Sequence, residues 1–198
     1  MFKRFLAFTL ACALFATMWI MPTTAATTVS PKSGLSDNLI ADFDFSGGSW
    51  GEKSTADHTG EQNVAYADSA ELGTKVAVFN PATQLKFKTS PKARALTEYA
   101  VEMYVNVSSA ADTSEKEFLA ISNGWEGIFE NNGTLLFRAA GGTTVETGAT
   151  LPRNKWVHIV AVRSASKLQI YLDGTLAAEK DTENTNAPGG STDSIYLG

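Results

Sequence analysis

Alternation of apolar and polar residues predicts β-strands along most of the chain. In residues 39–45, LIADFDF, one face carries Leu39, Ala41, Phe43 and Phe45, and the other carries Asp42 and Asp44. Residues 84–88, QLKFK, alternate in the same way. A period of two residues is typical of a strand with one buried face.

Two longer strands are predicted nearer the middle of a sheet. Residues 99–107, YAVEMYVNV, alternate so that Val101, Met103 and Val105 face the core. Residues 156–163, WVHIVAVR, are apolar on both faces, which predicts a central strand.

Two dipeptides mark tight turns between neighbouring strands. Asn132-Gly133 lies between the β-rich runs of GIFENNGTLLFRA, and Asp173-Gly174 lies between those of KLQIYLDGTLAAE. Both dipeptides accept the positive φ angles of a type I′ hairpin turn. No window of helical length has a convincing 3.6-residue apolar period. The pattern therefore predicts an all-β protein, an antiparallel two-sheet β-sandwich or jelly roll.

The first 25 residues have the organisation of a secretory signal peptide. Lys3 and Arg4 precede an apolar run that ends before Pro22, and small residues follow at a cleavage-like site. The alternative, an uncleaved membrane anchor, is disfavoured because the run is shorter than the ~20 residues of a spanning helix. We predict a signal peptide over 1–25, a polar linker over 26–38 and one domain over 39–198. The membrane is then a partner only during export.

Charge and cysteine content limit the partners of the exported protein. Without Lys3 and Arg4, 14 basic residues remain against 21 acidic ones, a formal charge of −7. Nucleic acid is not an expected ligand because its recognition needs a basic patch. The single cysteine lies within the signal peptide, so the domain is stabilised by its core, with or without a metal.

Three segments together resemble the laminin-G-like jelly roll of the concanavalin A-like lectin/glucanase superfamily. LPRNKWVHIVAVR resembles its "W-x-H-V-A" strand through Trp156 and His158. KLQIYLDGTLAAE resembles its "L-x-L-Y-V-D-G" hairpin through Tyr171, Asp173 and Gly174, and SIYLG resembles its "L-Y-I-G" strand. The resemblance implies a secreted or cell-surface domain that binds glycans or proteins, often with calcium. Function on such a fold depends on its loops and sites.

The end of the sequence leads to a further expectation. SIYLG reads as an apolar strand, and the family continues beyond it with a "G-x-I-D-E-V-R" strand. We therefore expect a C-terminally truncated domain that lacks its last strand, with residues 39–45 left partly unpaired.

Aromatic side chains are the candidate ligand contacts. A sugar ring has an apolar face and a polar rim, so it suits an exposed aromatic ring beside hydrogen-bonding groups. Trp50, in the polar loop GGSWGEKS, is the first candidate, and Trp125, in SNGWEG, is the second. Trp156 is expected in the core, and His158 is expected to be buried and hydrogen-bonded rather than catalytic.

Acidic residues near the start of the domain suggest a cation site. Asp42 and Asp44 share one strand face, and Asp57 lies in a loop that can fold back on them. Carboxylate oxygens suit Ca²⁺, which is therefore the candidate cofactor. The alternative is a solvated acidic strand.

The arrangement of acids does not match a glycosidase of this fold. Such enzymes place two carboxylates on either side of the scissile bond, but YAVEMYVNV has Glu102 with Tyr104 and Asn106 where further acids would lie. We predict a non-catalytic extracellular module, with polysaccharide as the favoured ligand. The alternatives are an accessory domain of a longer glycan-active enzyme and a structural or adhesive domain of a surface protein.

Overall fold

Strands and their turns make up almost all of the chain that the structure describes. The computed structural model describes residues 42–48, 51–52, 57–62, 64–88, 96–111, 116–121, 126–139, 142–183 and 194–198. At 51–52, 57–62, 87–88 and 194 it describes the backbone alone. These residues all belong to one unit, Pro31–Gly198.

Fifteen strands occur within the described residues. In chain order they are β1 Phe43–Asp44, β2 Gly51–Glu52, β3 Asp57–Gln62, β4 Ala65–Ser69, β5 Thr74–Val78, β6 Gln84–Lys88, β7 Tyr99–Asn106, β8 Lys116–Ile121, β9 Glu126–Asn131, β10 Thr134–Ala139, β11 Thr143–Thr150, β12 Trp156–Arg163, β13 Lys167–Leu172, β14 Thr175–Asp181 and β15 Ser194–Leu197. The helical content of these residues is one short 3₁₀ turn, Phe45–Gly47. No described helix is long and apolar enough to cross a membrane.

The strands pair into two large antiparallel sheets. Seven strands lie in the order β11-β10-β9-β8-β15-β6-β3, and four lie in the order β14-β13-β12-β7. Two small sheets, β1-β2 and β4-β5, accompany them. The predicted antiparallel β-sandwich is confirmed, and β12 is the central strand that its apolar sequence predicts.

The core lies between the two large sheets. Every second residue of β12 is buried, and Leu168 and Ile170 of β13 are buried beside them. The seven-stranded sheet contributes Ile128, Leu135 and Phe137 to the same cluster. Val101, Met103 and Val105 of β7 pack against it, as their alternation predicts. Full burial of each large apolar side chain contributes about 1.5–3 kcal/mol.

Both predicted tight turns are present. Asn132 and Gly133 have φ angles of 50° and 83°, and Asp173 and Gly174 have φ angles of 48° and 79°. These positive values at both central residues are those of a type I′ turn, which joins β9 to β10 and β13 to β14.

The opening segment differs from its prediction at Phe45. The strand ends at Asp44, and Phe45 begins the 3₁₀ turn instead of continuing the alternation. The Asp44 carboxylate accepts a hydrogen bond from the Ser46 backbone N–H at 2.9 Å, and Gly48 ends the turn at a φ of 69°. A short polar side chain that caps the next turn competes with strand formation. Residues 39–41 lie outside the described residues, so the missing last strand stays a prediction.

Candidate functional site

The two tryptophans favoured as ligand contacts, Trp50 and Trp125, lie outside the described residues. Their role as a sugar-binding site therefore stays a prediction.

The predicted calcium ligands are described in part. Asp44 is exposed and caps the 3₁₀ turn, Asp42 is half-buried just before β1, and the backbone of Asp57 begins β3. Among the side chains that the structure describes, no three acidic, histidine or cysteine residues form a metal-binding group. The side chain of Asp57 is not among them, so the calcium site also stays a prediction.

Two glutamates of β9 point into the sandwich, where each meets an arginine. Glu126 and Arg163 are both about 1% exposed, and their Oε1 and NH1 atoms are 3.1 Å apart. The Tyr99 hydroxyl donates to the other oxygen of Glu126 at 2.5 Å. Since β9 belongs to one large sheet and Tyr99 and Arg163 to the other, this network links the two layers. Burial, and then the Glu126 charge, raise the pKa of the Tyr99 hydroxyl.

Glu130 forms the second of these pairs. Its buried carboxylate binds both terminal nitrogens of Arg153, one of them at 2.8 Å. This bidentate contact raises the pKa of Arg153. A carboxylate that is buried and neutralised by an arginine is suited to holding the fold, not to protonating a sugar oxygen.

The most exposed aromatic ring described lies on the outer face of the four-stranded sheet. Tyr104 of β7 is 55% exposed and lies directly opposite His158 of β12. The two rings stack with centroids 4.6 Å apart and planes 24° apart. His158 Nε2 forms a hydrogen bond of 2.8 Å with Glu102 Oε1. We call Tyr104, His158 and Glu102 the Tyr104 platform.

The Asp173-Gly174 turn fixes the backbone beneath this platform. The His158 N–H donates to the Asp173 carboxylate at 3.0 Å, and the Asp173 N–H donates to the His158 carbonyl at 2.9 Å. The residues that most resemble the laminin-G-like pattern thus position His158 from the far side of β12.

Two expectations about β12 are corrected by its alternation. Trp156 and His158 belong to the half-buried side of the strand, whereas Val157 and Ile159 face the core. The prediction that Trp156 lies in the core is therefore wrong. His158 is hydrogen-bonded as expected, but its side chain is 22% exposed and lies on the outer face.

Lys167 is held by acidic neighbours farther along the same face. Its ammonium lies 2.9 Å from Glu179 and 3.6 Å from Asp181. The hydrogen bond with Glu179 raises the pKa of Lys167 and lowers that of Glu179. This local pairing offsets the positive charge of Lys167.

The outer face of the seven-stranded sheet presents its aromatic rings differently. Lys86 lies over the ring of Tyr196 at 5.2 Å, and Arg138 lies over the ring of Phe129 at 4.8 Å. Phe129 is only 1% exposed. Cations cover both rings, which leaves less of each ring face for a ligand than Tyr104 offers.

A family model supports the resemblance seen in the sequence. The model described as the concanavalin A-like lectin/glucanases superfamily matches residues 81–198. None of the curated proteins compared with the chain matches it significantly.

Solved structures with the same fold include a domain of an extracellular arabinanase and the binding domains of two other proteins. Domain 4 of an arabinanase from Geobacillus stearothermophilus, in complex with arabinotriose, is 16% identical with a TM-score of 0.57, and covers 81% of this chain and 84% of its own. The binding domain of Paraclostridial Mosquitocidal Protein 1 is 12% identical with a TM-score of 0.61, covering 82% and 47%. The binding domain of Botulinum Neurotoxin DC, in complex with SialylT, is 12% identical with a TM-score of 0.60, covering 82% and 44%. This chain therefore spans less than half of either toxin binding domain.

Proposed function

The chain belongs to the concanavalin A-like lectin/glucanases superfamily, and from this we propose that it is an exported, non-catalytic module that binds polysaccharide. The observation that carries the proposal is the state of the β9 carboxylates. Glu126 and Glu130 face the interior and are each bound to an arginine. A retaining or inverting glycosidase needs two carboxylates beside the substrate instead.

Similar structures support a glycan as the ligand. The arabinanase domain was solved with arabinotriose, and the toxin binding domain was solved with SialylT. A related toxin domain was solved with rat synaptotagmin II, which supports a protein ligand as the second candidate. Recognition outside the cell is common to both candidates and agrees with the proposed signal peptide over residues 1–25.

Trp50 is the proposed principal contact and Trp125 the second. Each lies among glycines and polar residues, where an indole ring has few apolar neighbours in sequence. Ca²⁺ bound by Asp42, Asp44 and Asp57 is part of the same proposal. Asp44 is exposed, so a cation can reach its carboxylate from solvent.

A polysaccharide binding assay tests the function. The full chain is incubated with arabinan, xylan, β-1,3-glucan, chitin and polygalacturonate, and the bound fraction is measured for wild type, Trp50→Ala and Trp125→Ala. We expect retention on at least one neutral polymer, with weaker retention after Trp50→Ala. Retention should change little between 50 mM and 500 mM salt, because ring stacking and hydrogen bonds are screened far less than ion pairs.

Two results would contradict the proposal. Release of reducing sugar by the purified chain would show that it is an enzyme. Failure to bind any glycan would favour a protein ligand or a structural role.

A further inference from the structure

We propose that the Tyr104 platform is a sugar-binding subsite on the outer face of the four-stranded sheet, and that it accepts neutral or amino-sugar units and rejects uronates. The inference rests on the proposed function and adds to it a site separate from the two tryptophans. The ligand is a polysaccharide chain that lies along this face.

The first argument is the shape and rigidity of the ring surface. Tyr104 is 55% exposed, and its ring is backed by the imidazole of His158 with a centroid separation of 4.6 Å. His158 is held in turn by Glu102 through its Nε2 atom and by the Asp173 turn through its backbone. A ring that is already ordered loses little conformational freedom on binding, so more of the contact energy becomes affinity.

The second argument is the polar groups around that ring. Residues 102, 104 and 106 alternate along β7, so Glu102 and Asn106 lie on the same side as Tyr104. The Glu102 side chain is 65% exposed, and Asn106 is exposed opposite Trp156. A carboxylate and an amide can bind the hydroxyl groups at the edge of a pyranose whose apolar face stacks on Tyr104.

The third argument is the charge of the face, which selects the class of sugar. Glu102 lies within the platform, and the exposed Asp173 lies beside it. Among the strand residues described on this face, Lys167 carries the positive charge, and Glu179 and Asp181 both neutralise it. The His158 imidazole is already bound to Glu102. A uronate carboxylate brought towards Glu102 would therefore be repelled, whereas a neutral hydroxyl or an ammonium group would be tolerated.

The experiment compares three variants of the full chain by isothermal titration with soluble oligosaccharides of the polymer that wild type retains. Tyr104→Ala removes the ring, Tyr104→Phe keeps the ring and removes its hydroxyl, and Val78→Ala removes another exposed apolar side chain, 41% exposed in the separate β4–β5 hairpin. We expect Tyr104→Ala to weaken binding by about tenfold, as for a contact at the centre of an interface. Tyr104→Phe and Val78→Ala should stay within about twofold of wild type, because neither removes the stacking surface.

A second measurement tests the sugar class. Glu102→Lys should create or strengthen binding to oligogalacturonate, which wild type is expected to bind at least tenfold more weakly than the neutral ligand. The thermal midpoint of each variant shows whether it is folded, and little change is expected at these surface positions.

The outcomes separate this inference from the proposed function. If wild type binds a neutral glycan and Tyr104→Ala binds it equally well, the subsite is wrong and the proposed function stands. If wild type prefers polygalacturonate, the charge argument fails while glycan binding stands. If wild type binds no polysaccharide, both are overturned.

Discussion

Three polar side chains inside the sandwich, Tyr99, Glu126 and Arg163, depend on one another. A buried carboxylate without partners would cost several kcal/mol, and so would a buried guanidinium. Arg163 neutralises Glu126, and the Tyr99 hydroxyl donates to the second carboxylate oxygen. Burial of these three side chains costs little free energy only when all three are present. The loss of one should therefore destabilise the protein by leaving the other two without their partner.

Tyr99→Phe tests this dependence through pH. The pKa of Tyr99 is raised in the folded protein, so above pH 10 the unfolded chain releases a proton that the folded chain retains. Stability that is fully present below pH 10 should therefore fall by up to about 1.4 kcal/mol per pH unit above it. In Tyr99→Phe this contribution to the alkaline slope should vanish, and at pH 7 the free energy of unfolding should fall by about 1–3 kcal/mol.

Urea unfolding between pH 7 and 11 provides the measurement. Tyr104→Phe is the matched control, since its exposed hydroxyl has no such buried partner among the described contacts, and it should keep the wild-type slope. Identical alkaline slopes in wild type and Tyr99→Phe would contradict the role assigned to the network.

Single-residue environments could be predicted from the sequence only where alternation decides them. The period of two along residues 99–107 places Glu102 and Tyr104 on the outer face, and this assignment needs no knowledge of strand pairing. The stack of Tyr104 on His158 needs the register between β7 and β12, which no local pattern contains. The core position expected for Trp156 is wrong because the buried phase of β12 begins at Val157, so Trp156 lies on the opposite side of the strand.

At the scale of elements, β9 differs from the other strands whose side chains the structure describes, because both of its faces are buried. Five of its six residues, from Glu126 to Glu130, are buried, and Gly127 lies opposite Ala120 of β8. A Cβ atom added at Gly127 would collide with the Leu119 carbonyl oxygen and would lie 3.0 Å from the Phe129 ring. The glycine therefore lets β8 and β9 pair at this point.

Gly127→Ala should disturb this strand pair specifically. The colliding atom belongs to the backbone and cannot rotate away, so we expect a loss of about 3 kcal/mol, the upper end of the usual overpacking cost. Hydrogen exchange should show weaker protection of the β8 and β9 amides than of those in β12 and β13. Gly73→Ala, in an open turn with a φ of 66°, should cost only about 1 kcal/mol from its left-handed backbone. Equal losses in the two variants would argue against the close approach.

Elements that form locally could be predicted, and those fixed by distant pairing could not. The Asn132-Gly133 and Asp173-Gly174 turns follow from the backbone preferences of two residues each. By contrast β15, at residues 194–197, lies between β8 and β6 in the seven-stranded sheet. That position joins segments more than seventy residues apart along the chain and depends on the whole core.

At the scale of the whole molecule, the excess of acidic residues determines which charged ligands the protein attracts. The predicted exported form carries a formal charge of −7 without a disulfide. Acid repulsion opposes a compact state, and a bound divalent cation relieves it. This is the physical reason to expect calcium at Asp42, Asp44 and Asp57, where the opening segment and β3 supply carboxylates.

Thermal unfolding with calcium and with a chelator tests that expectation. A ligand at 100 times its dissociation constant stabilises the folded state by about 2.7 kcal/mol, which for a chain of this size raises Tm by about 5–10 °C.

Asp44→Asn is the decisive variant, because asparagine still accepts the Ser46 N–H hydrogen bond and caps the 3₁₀ turn while the charge is lost. The calcium shift should therefore shrink in Asp44→Asn and in Asp57→Asn, although the Tm measured in chelator stays near that of wild type. Asp181→Asn removes an exposed acid from β14, at the edge of the four-stranded sheet, and should leave the calcium shift unchanged. A Tm that is the same in calcium and in chelator, or a shift equally reduced by Asp181→Asn, would show that these aspartates form a solvated acidic surface instead.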